Sequence, residues 1–297
     1  MPYQEIDLHM HTTVSDGTDR PPDLLKLIMD KGIDLFSVTD HDGILGCSQI
    51  LDELSSLKKE AGEETGRSLP GFITGVEFSC RDSEGKYHIL SYGYDPEAGP
   101  INEVVDYGRQ FRVEKVSGRL RFLEEEFGFT FSPEEKEDLF NMYNPGKPHI
   151  ANLMLAHGYA GDRKEAFTRY LNKKKFPNMF ISPQDAIRGI LDSGGIPVLA
   201  HPVYGSGDDL IMGQDMEKRL RHLMEMGLAG VEGYYSTYTK KMHKEILDFA
   251  DKFGLYVTAG SDYHGSNKLI ELGENGLDED PEGMKRLERF LNDVIIR

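Results

Sequence analysis

The chain has 297 residues, a net charge of −17 and only two cysteines, Cys47 and Cys80. A field of that sign argues against an extended duplex-binding surface, and two cysteines are too few for a disulfide framework; they fit a reducing compartment. Bound cations can invert the local sign, so a small anionic substrate stays open.

The N-terminal Met-Pro-Tyr-Gln-Glu runs straight into a strand-like segment, with no signal peptide. No apolar run approaches the roughly 20 residues of a membrane helix. The expectation is a soluble, cytoplasmic protein. Glu5–Leu8 alternates as a strand. Pro21-Pro22 opens a helix carrying Leu24, Leu25, Ile28 and Met29, and Gly32 closes it. An apolar strand spans Ile33–Thr39, and a helix Ile44–Glu64. Phe72–Phe78 and Tyr87–Tyr94 form a hairpin across Asp82-Ser83-Glu84-Gly85. Acidic stretches at Glu60–Glu64 and Pro133–Asp138 are solvated faces.

From 100 to 178 the pattern is helical and charged, without a strand. Alternation resumes afterwards. A helix starts at Ser182-Pro183, a strand covers Ile196–Ala200, and a helix covers Asp215–Met226. The strand Gly230–Tyr234 follows, then the helix Lys240–Phe253, the strand Leu255–Gly260 and a last helix near Pro281–Ile295. Strands alternating with helices imply a largely parallel α/β sheet or barrel. Two units are expected: 1–99 with 179–297 as the barrel, and 100–178 as a helical insertion or cap.

Histidines and carboxylates concentrate where strands end. His9 and His11 follow the first strand, with Asp16 five residues on. Asp40 and His41 follow the second, Glu77 ends the third, His201 follows Ile196–Ala200, and Asp262 and His264 follow Leu255–Gly260. In α/β barrels the C-terminal strand ends build the active-site face. Residues i and i+2 of a strand point the same way, so His9/His11 and Asp262/His264 can each aim two ligands into one cavity. With the hairpin centred between Asp82 and Ser83, Glu77 would oppose His88 directly. Such a donor set suits Mn, Fe or Zn better than calcium. Asp40 could instead be a helix cap. His157, His222 and His243 fall on helices without a ligand partner and read as surface or packing residues.

These segments resemble the PHP (polymerase and histidinol phosphatase) family. They are Asp7-Leu8-His9-Met10-His11, Ser15-Asp16-Gly17, Thr39-Asp40-His41, Gly75-Val76-Glu77, His88-Ile89-Leu90, Ala200-His201-Pro202 and Gly260-Ser261-Asp262-Tyr263-His264. The nearest likeness is to stand-alone bacterial members acting on nucleotides or short RNA. Gly146-Lys147-Pro148-His149-Ile150-Ala151 looks like their basic-x-His element. The resemblance implies a distorted (β/α)7 TIM-like barrel with an inserted helical cap that binds substrate, and a centre of two to three divalent metal ions. His9, His11, Glu77 and Asp262 would hold the first ion. Glu77 would bridge to a second, bound also by His88 and His201. Asp16, His41 and His264 would hold the third, with Asp40 behind them. Lys147, His149 and Lys175 are the substrate-phosphate candidates. Lys147 stands where relatives often have Arg, and a point charge replaces a bidentate fork.

The implied reaction is hydrolysis of a phosphate monoester by a metal-bridging hydroxide, with His201 or His264 as general acid. The expected substrate is a small nucleotide, AMP or a nucleoside 3′,5′-bisphosphate. Alternatives are a 5′→3′ exoribonuclease on short RNA, a histidinol-phosphate phosphatase, carbon–nitrogen hydrolysis, or a non-catalytic module. A nuclease should carry a basic track interleaved with aromatics, whereas the insertion mixes its basic residues with many glutamates.

Overall fold

A computed structural model describes residues 3–61, 69–205 and 210–297. Two sheets carry the fold. In the first, β1 (Ile6–Asp7), β2 (Leu35–Phe36) and β3 (Gly71–Phe72) run parallel in that order. In the second, the order is β4 (Gly75–Arg81), β5 (Lys86–Tyr92), β6 (Ile196–Leu199), β7 (Gly230–Tyr235) and β8 (Tyr256–Gly260). The β4–β5 and β5–β6 pairs are antiparallel, and β6–β7 and β7–β8 parallel.

The first three strands are shorter than the sequence suggests, because their pairing stops where the chain turns toward the site. Backbone bonds continue past the regular ladders there. Leu8 donates to Ala259 and Asp262 to His9, while Glu77 donates to Asp40 and Asp42 to Glu77. The two sheets are therefore stitched together at the segments bearing the candidate ligands. The expected strand Phe72–Phe78 is two pieces, with Ile73 and Thr74 between them.

Helices α1 (Pro21–Lys31) and α2 (Leu45–Ala61) cover the first sheet. Their buried Leu24, Leu25, Ile28, Ile50 and Leu54 pack with Phe36 and Phe72. The last residues of the expected helix Ile44–Glu64 lie outside the described ones. Helices α7 (Pro183–Asp192), α8 (Gly213–Glu225), α9 (Lys240–Phe253) and α10 (Gly283–Asp293) cover the second sheet around the largest core. Cys47 and Cys80 are both buried and free.

Between β5 and α7 come α3 (Gly99–Phe127), α4 (Pro133–Asn141), α5 (Lys147–Ala156) and α6 (Arg163–Glu165), then a π-helical turn, Ala166–Tyr170. These contain a core of their own, with Val116, Leu120 and Leu123 of α3 packed with Leu139, Ile150, Met154 and Tyr170. The first turns of α3 belong elsewhere: Ile101, Val104 and Val105 pack into the main core. At 29 residues, α3 spans about 43 Å. It is one beam shared by both cores. Among the described residues, no helix is long and apolar enough to cross a membrane.

Candidate metal centre

The candidate side chains converge on one place, although Glu77, expected at the end of a strand, is the third of seven residues in β4, which runs on to Arg81. Glu77 is the hub, 1% exposed. Its Oε2 lies 3.0 Å from His41 Nδ1, 3.3 Å from His11 Nε2 and 3.4 Å from His9 Nε2. Its Oε1 lies 2.8 Å from His88 Nδ1 and 3.1 Å from His201 Nε2. Asp262 Oδ1 sits 3.5 Å from His9, 3.3 Å from His11 and 3.4 Å from His264. Asp16 Oδ1 is 3.3 Å from His264 Nε2 and 3.8 Å from His11 Nδ1.

Several features fit these groups to cations. His9 Nε2 and His11 Nε2 face each other at 3.2 Å. Asp16 Oδ1 and His41 Nδ1 are buried without a well-aligned hydrogen bond, each facing a rim partner, at 3.3 and 3.0 Å, a geometry that a cation between them would satisfy. Ligand atoms of His11, Asp16, His41 and His264 lie within 4.8 Å of one another. The same holds for His9, His11 and Glu77, and for His41, Glu77 and His88. His11 and His41 are thus shared between groups, which the sequence-derived division does not contain.

Burial opposes ionisation of Glu77, but His41, His88 and His9 outweigh it and hold the carboxylate well below its usual range. Burial likewise opposes the charge of Asp262, yet Lys268, His9 and His11 keep it ionised. Burial pushes the His41 imidazole down to about 4 against the pull of Glu77 and Asp16. Backbone strain accompanies the site. His201 has φ 28° and Asp262 φ 59°, left-handed values uncommon for residues other than glycine and clustered at functional sites.

Neighbouring groups fix the orientation of the donors. His9 Nδ1 donates to Glu232 Oε1 at 2.8 Å, which turns Nε2 toward Glu77. Glu232 Oε2 accepts from the His201 backbone N–H at 2.7 Å. Tyr235 donates to Asp262 Oδ2 at 2.7 Å, leaving Oδ1 to face the histidines. His264 Nδ1 donates to the Asp262 carbonyl at 2.8 Å. Glu232 is fully buried on β7 and was not foreseen. The available signal was a carboxylate inside the otherwise uncharged strand Gly-Val-Glu-Gly-Tyr-Tyr. Its fit depends on Gly260, where an added Cβ would come within 2.2 Å of His9 Cβ and 2.6 Å of Glu232 Oε1.

Two local expectations are corrected. In the hairpin, His88 opposes Ser79, and Glu77 opposes Leu90. Asp82 accepts from the N–H groups of both Glu84 and Gly85, at 2.9 and 3.0 Å. That moves the turn centre one residue on. His88 still reaches Glu77, as a diagonal neighbour. Asp40 does not cap α2. It accepts from the Thr12 backbone, the Thr12 hydroxyl and the Ser15 hydroxyl at 2.9, 2.7 and 2.6 Å, bracing the loop that carries His11 and Asp16. His157, His222 and His243 lie away from the site; His157 pairs with Glu135 and His222 with Asp82, each at 2.7 Å.

Asp16, His41 and His88 also form one end of a cavity of about 450 Å³. Its walls carry Arg81 and Lys86 from the hairpin, Arg112, Lys115 and Arg119 from α3, and Lys147, Lys174 and Lys175 from the insertion. Lys115 lies 4.5 Å from the Phe180 ring centre, Arg119 4.8 Å from Phe176 and Lys147 5.6 Å from Phe167. Burial and the neighbouring Arg112 push Lys115 down to about 7. Burial, with Arg119 and Lys86, pushes Lys147 down to about 8. Lys147 and Lys175, two of the candidates for the substrate phosphate, both line this cavity. His149 is not on this wall: its Nδ1 accepts from the Gly146 N–H at 3.0 Å, at the start of α5. Arg112, Lys115 and Arg119 were overlooked, although their i, i+3, i+7 spacing marks one helix face.

The chain belongs to the PHP domain family, whose profile matches residues 7–181. It is 28% identical to a phosphoribosyl 1,2-cyclic phosphate 1,2-diphosphodiesterase of Eggerthella lenta, over 87% of this chain and 94% of the relative. It is 27% identical to a 5′-3′ exoribonuclease of Haemophilus influenzae, over 92% and 94%. To a 3′,5′-nucleoside bisphosphate phosphatase of Chromobacterium violaceum it is 28% identical, over 92% and 90%. The crystal structure of a proposed metal-dependent phosphoesterase from Bifidobacterium adolescentis superposes with a TM-score of 0.78 at 24% identity, over 99% of this chain and 98% of that one. The protein is a phosphoric ester hydrolase of this metal-dependent family.

Proposed function

We propose that the protein removes a phosphate monoester from a small nucleotide bearing a second phosphate, of the nucleoside 3′,5′-bisphosphate type. One observation carries this reading: Asp16, His41 and His88 belong both to the histidine–carboxylate rim and to the wall of the cationic cavity. A reacting phosphoryl group at the rim has a place for a further anion beside it, in a chain whose net charge is −17. The rim and both sheets form, on this reading, one distorted barrel, and 100–178 is the cap that binds substrate.

His9, His11, Asp16, His41, Glu77, His88, His201, Asp262 and His264 would hold two to three divalent ions, Mn, Fe or Zn. Such ions supply Lewis acidity toward phosphoryl oxygens and an activated water near neutral pH. The protein's own groups do the rest. Glu232, Tyr235 and the Asp262 carbonyl set which atoms of His9, Asp262 and His264 face the centre. The cations of α3 and Lys147 neutralise the second phosphate and orient the substrate.

The rings of Phe167, Phe176 and Phe180 beneath the cations favour a second reading, trimming of short 5′-phosphorylated RNA, because every base offers a face to stack. Manganese-loaded protein should be assayed on a nucleoside 3′,5′-bisphosphate, AMP, a 5′-phosphorylated oligoribonucleotide and histidinol phosphate. The expected ranking places the bisphosphate first in kcat/KM. A higher value for the oligonucleotide would transfer the assignment to RNA, and equal or higher values for AMP or histidinol phosphate would sink the two-phosphate reading.

A further inference from the structure

Arg112 stands apart from the other cations of the cavity. Its Nε donates to Asp42 Oδ2 at 2.6 Å, and its Nη2 to the Ser79 hydroxyl at 3.2 Å. Asp42 follows His41 directly, is 2% exposed, and has φ 49°. It accepts from the Ser79 backbone N–H at 2.7 Å, and its own N–H donates to the Glu77 carbonyl at 2.9 Å. Ser79 is the cross-strand partner of His88. One turn before Arg112, Gly108 lets α3 lie flush on this loop: an added Cβ would sit 2.8 Å from Asp42 Cβ and 3.0 Å from Ile181 Cδ1.

We propose that Arg112 is a positioning residue that fastens α3 to the segments presenting His41, Glu77 and His88, so that one guanidinium serves both metal affinity and anion affinity. The inference rests on the metal reading of the rim. The physical basis is the fork. Two donors hold a carboxylate on one segment and a hydroxyl on another, which a lysine point charge cannot reproduce. Lys115, on the same face of α3, lines the cavity and lies over the Phe180 ring instead. It supplies the contrast.

Manganese affinity, measured by electron paramagnetic resonance titration without substrate, and kcat with KM should be compared in four proteins: wild type, Arg112→Lys, Lys115→Ala and the double variant Asp42→Asn/Arg112→Gln. The double variant leaves no unpaired buried charge, and asparagine accepts the left-handed backbone. Both Arg112 variants should bind manganese about tenfold or more weakly, in the range known for outer hydrogen-bond partners of metal ligands, with a lower kcat and a higher KM. Lys115→Ala should keep wild-type manganese affinity and raise KM. Wild-type manganese affinity in both Arg112 variants, with only KM altered, would reduce Arg112 to an anion contact and overturn the proposal. Failure of wild type itself to bind manganese, iron or zinc would remove the metal reading, and this proposal with it.

Discussion

The rim and the cavity wall meet at Asp16, His41 and His88 but are built on opposite principles. The rim gathers side chains from β4, β5 and the ends of neighbouring strands, buries Glu77, Asp262, His9, His11 and His264, and surrounds both carboxylates with imidazoles. The wall draws its side chains from α3, the β4–β5 hairpin and the insertion, and gathers like charges around aromatic rings. In the rim the carboxylates and the His9 and His11 rings favour one another's charged forms, and their clustered donor atoms suit cations; the lysines and arginines of the wall repel one another and call for anions. On the proposed reading, the rim supplies the chemistry and the wall selects what is brought to it.

The largest effects should come from the hub of the rim. Glu77→Gln keeps the shape but removes a charge that several imidazoles face. It should lower kcat/KM by at least about 100-fold, more than loss of an outer partner. A folded, metal-replete variant with near-wild-type turnover would break the division. Glu232→Gln comes next. It should weaken metal binding by about 10–100-fold, read by titration with a chelator as competitor, because His9 Nδ1 loses its charged acceptor.

Substitutions in the wall should act on binding instead. Arg119→Ala should raise KM about tenfold, the scale of one charged hydrogen bond, with kcat little changed. A matching loss of metal affinity would erase the distinction between the two regions. The wall should also respond to pH in its own way. Lys115 and Lys147 lose their protons near 7 and 8. Below about 7 both are cationic. As pH rises through 7 to 8 the cavity loses positive charge, so KM should rise by a few-fold while the affinity for inorganic phosphate falls. Lys115→Arg should flatten the first part of that rise. The smallest effect belongs to His157, whose pairing with Glu135 lies in the insertion away from both regions. His157→Ala should leave kcat/KM unchanged and cost at most about 1 kcal/mol of stability in a denaturant melt.

The legibility of these two regions differs for a physical reason. His9/His11 and Asp262/His264 are legible because two-residue periodicity in an extended chain is local. A strand's end can likewise be read from where its apolar run stops. Glu232 was missed because a carboxylate inside a strand looks like a surface position until the strand is known to be covered on both faces. The hairpin register slipped because Asp82 uses its side chain to cap the turn, a choice that composition leaves open. The insertion's glutamates obscured its cations, since sequence proximity mixes residues that the helices then send to different faces.

The sequence by itself pointed to the family, the alternation of strands and helices, the helical stretch between the hairpin and α7, and the candidates for the rim. Those follow from local periodicity and from short motifs, several of whose members sit at strand ends. Only the tertiary structure decided that Glu77 is the common partner of His9, His11, His41, His88 and His201. It also decided that cations scattered between Arg81 and Lys175 share one cavity, and that α3 is anchored through Arg112 to Asp42. Charges far apart in the chain interact only after the core has fixed the distances between them, and no local pattern encodes those distances.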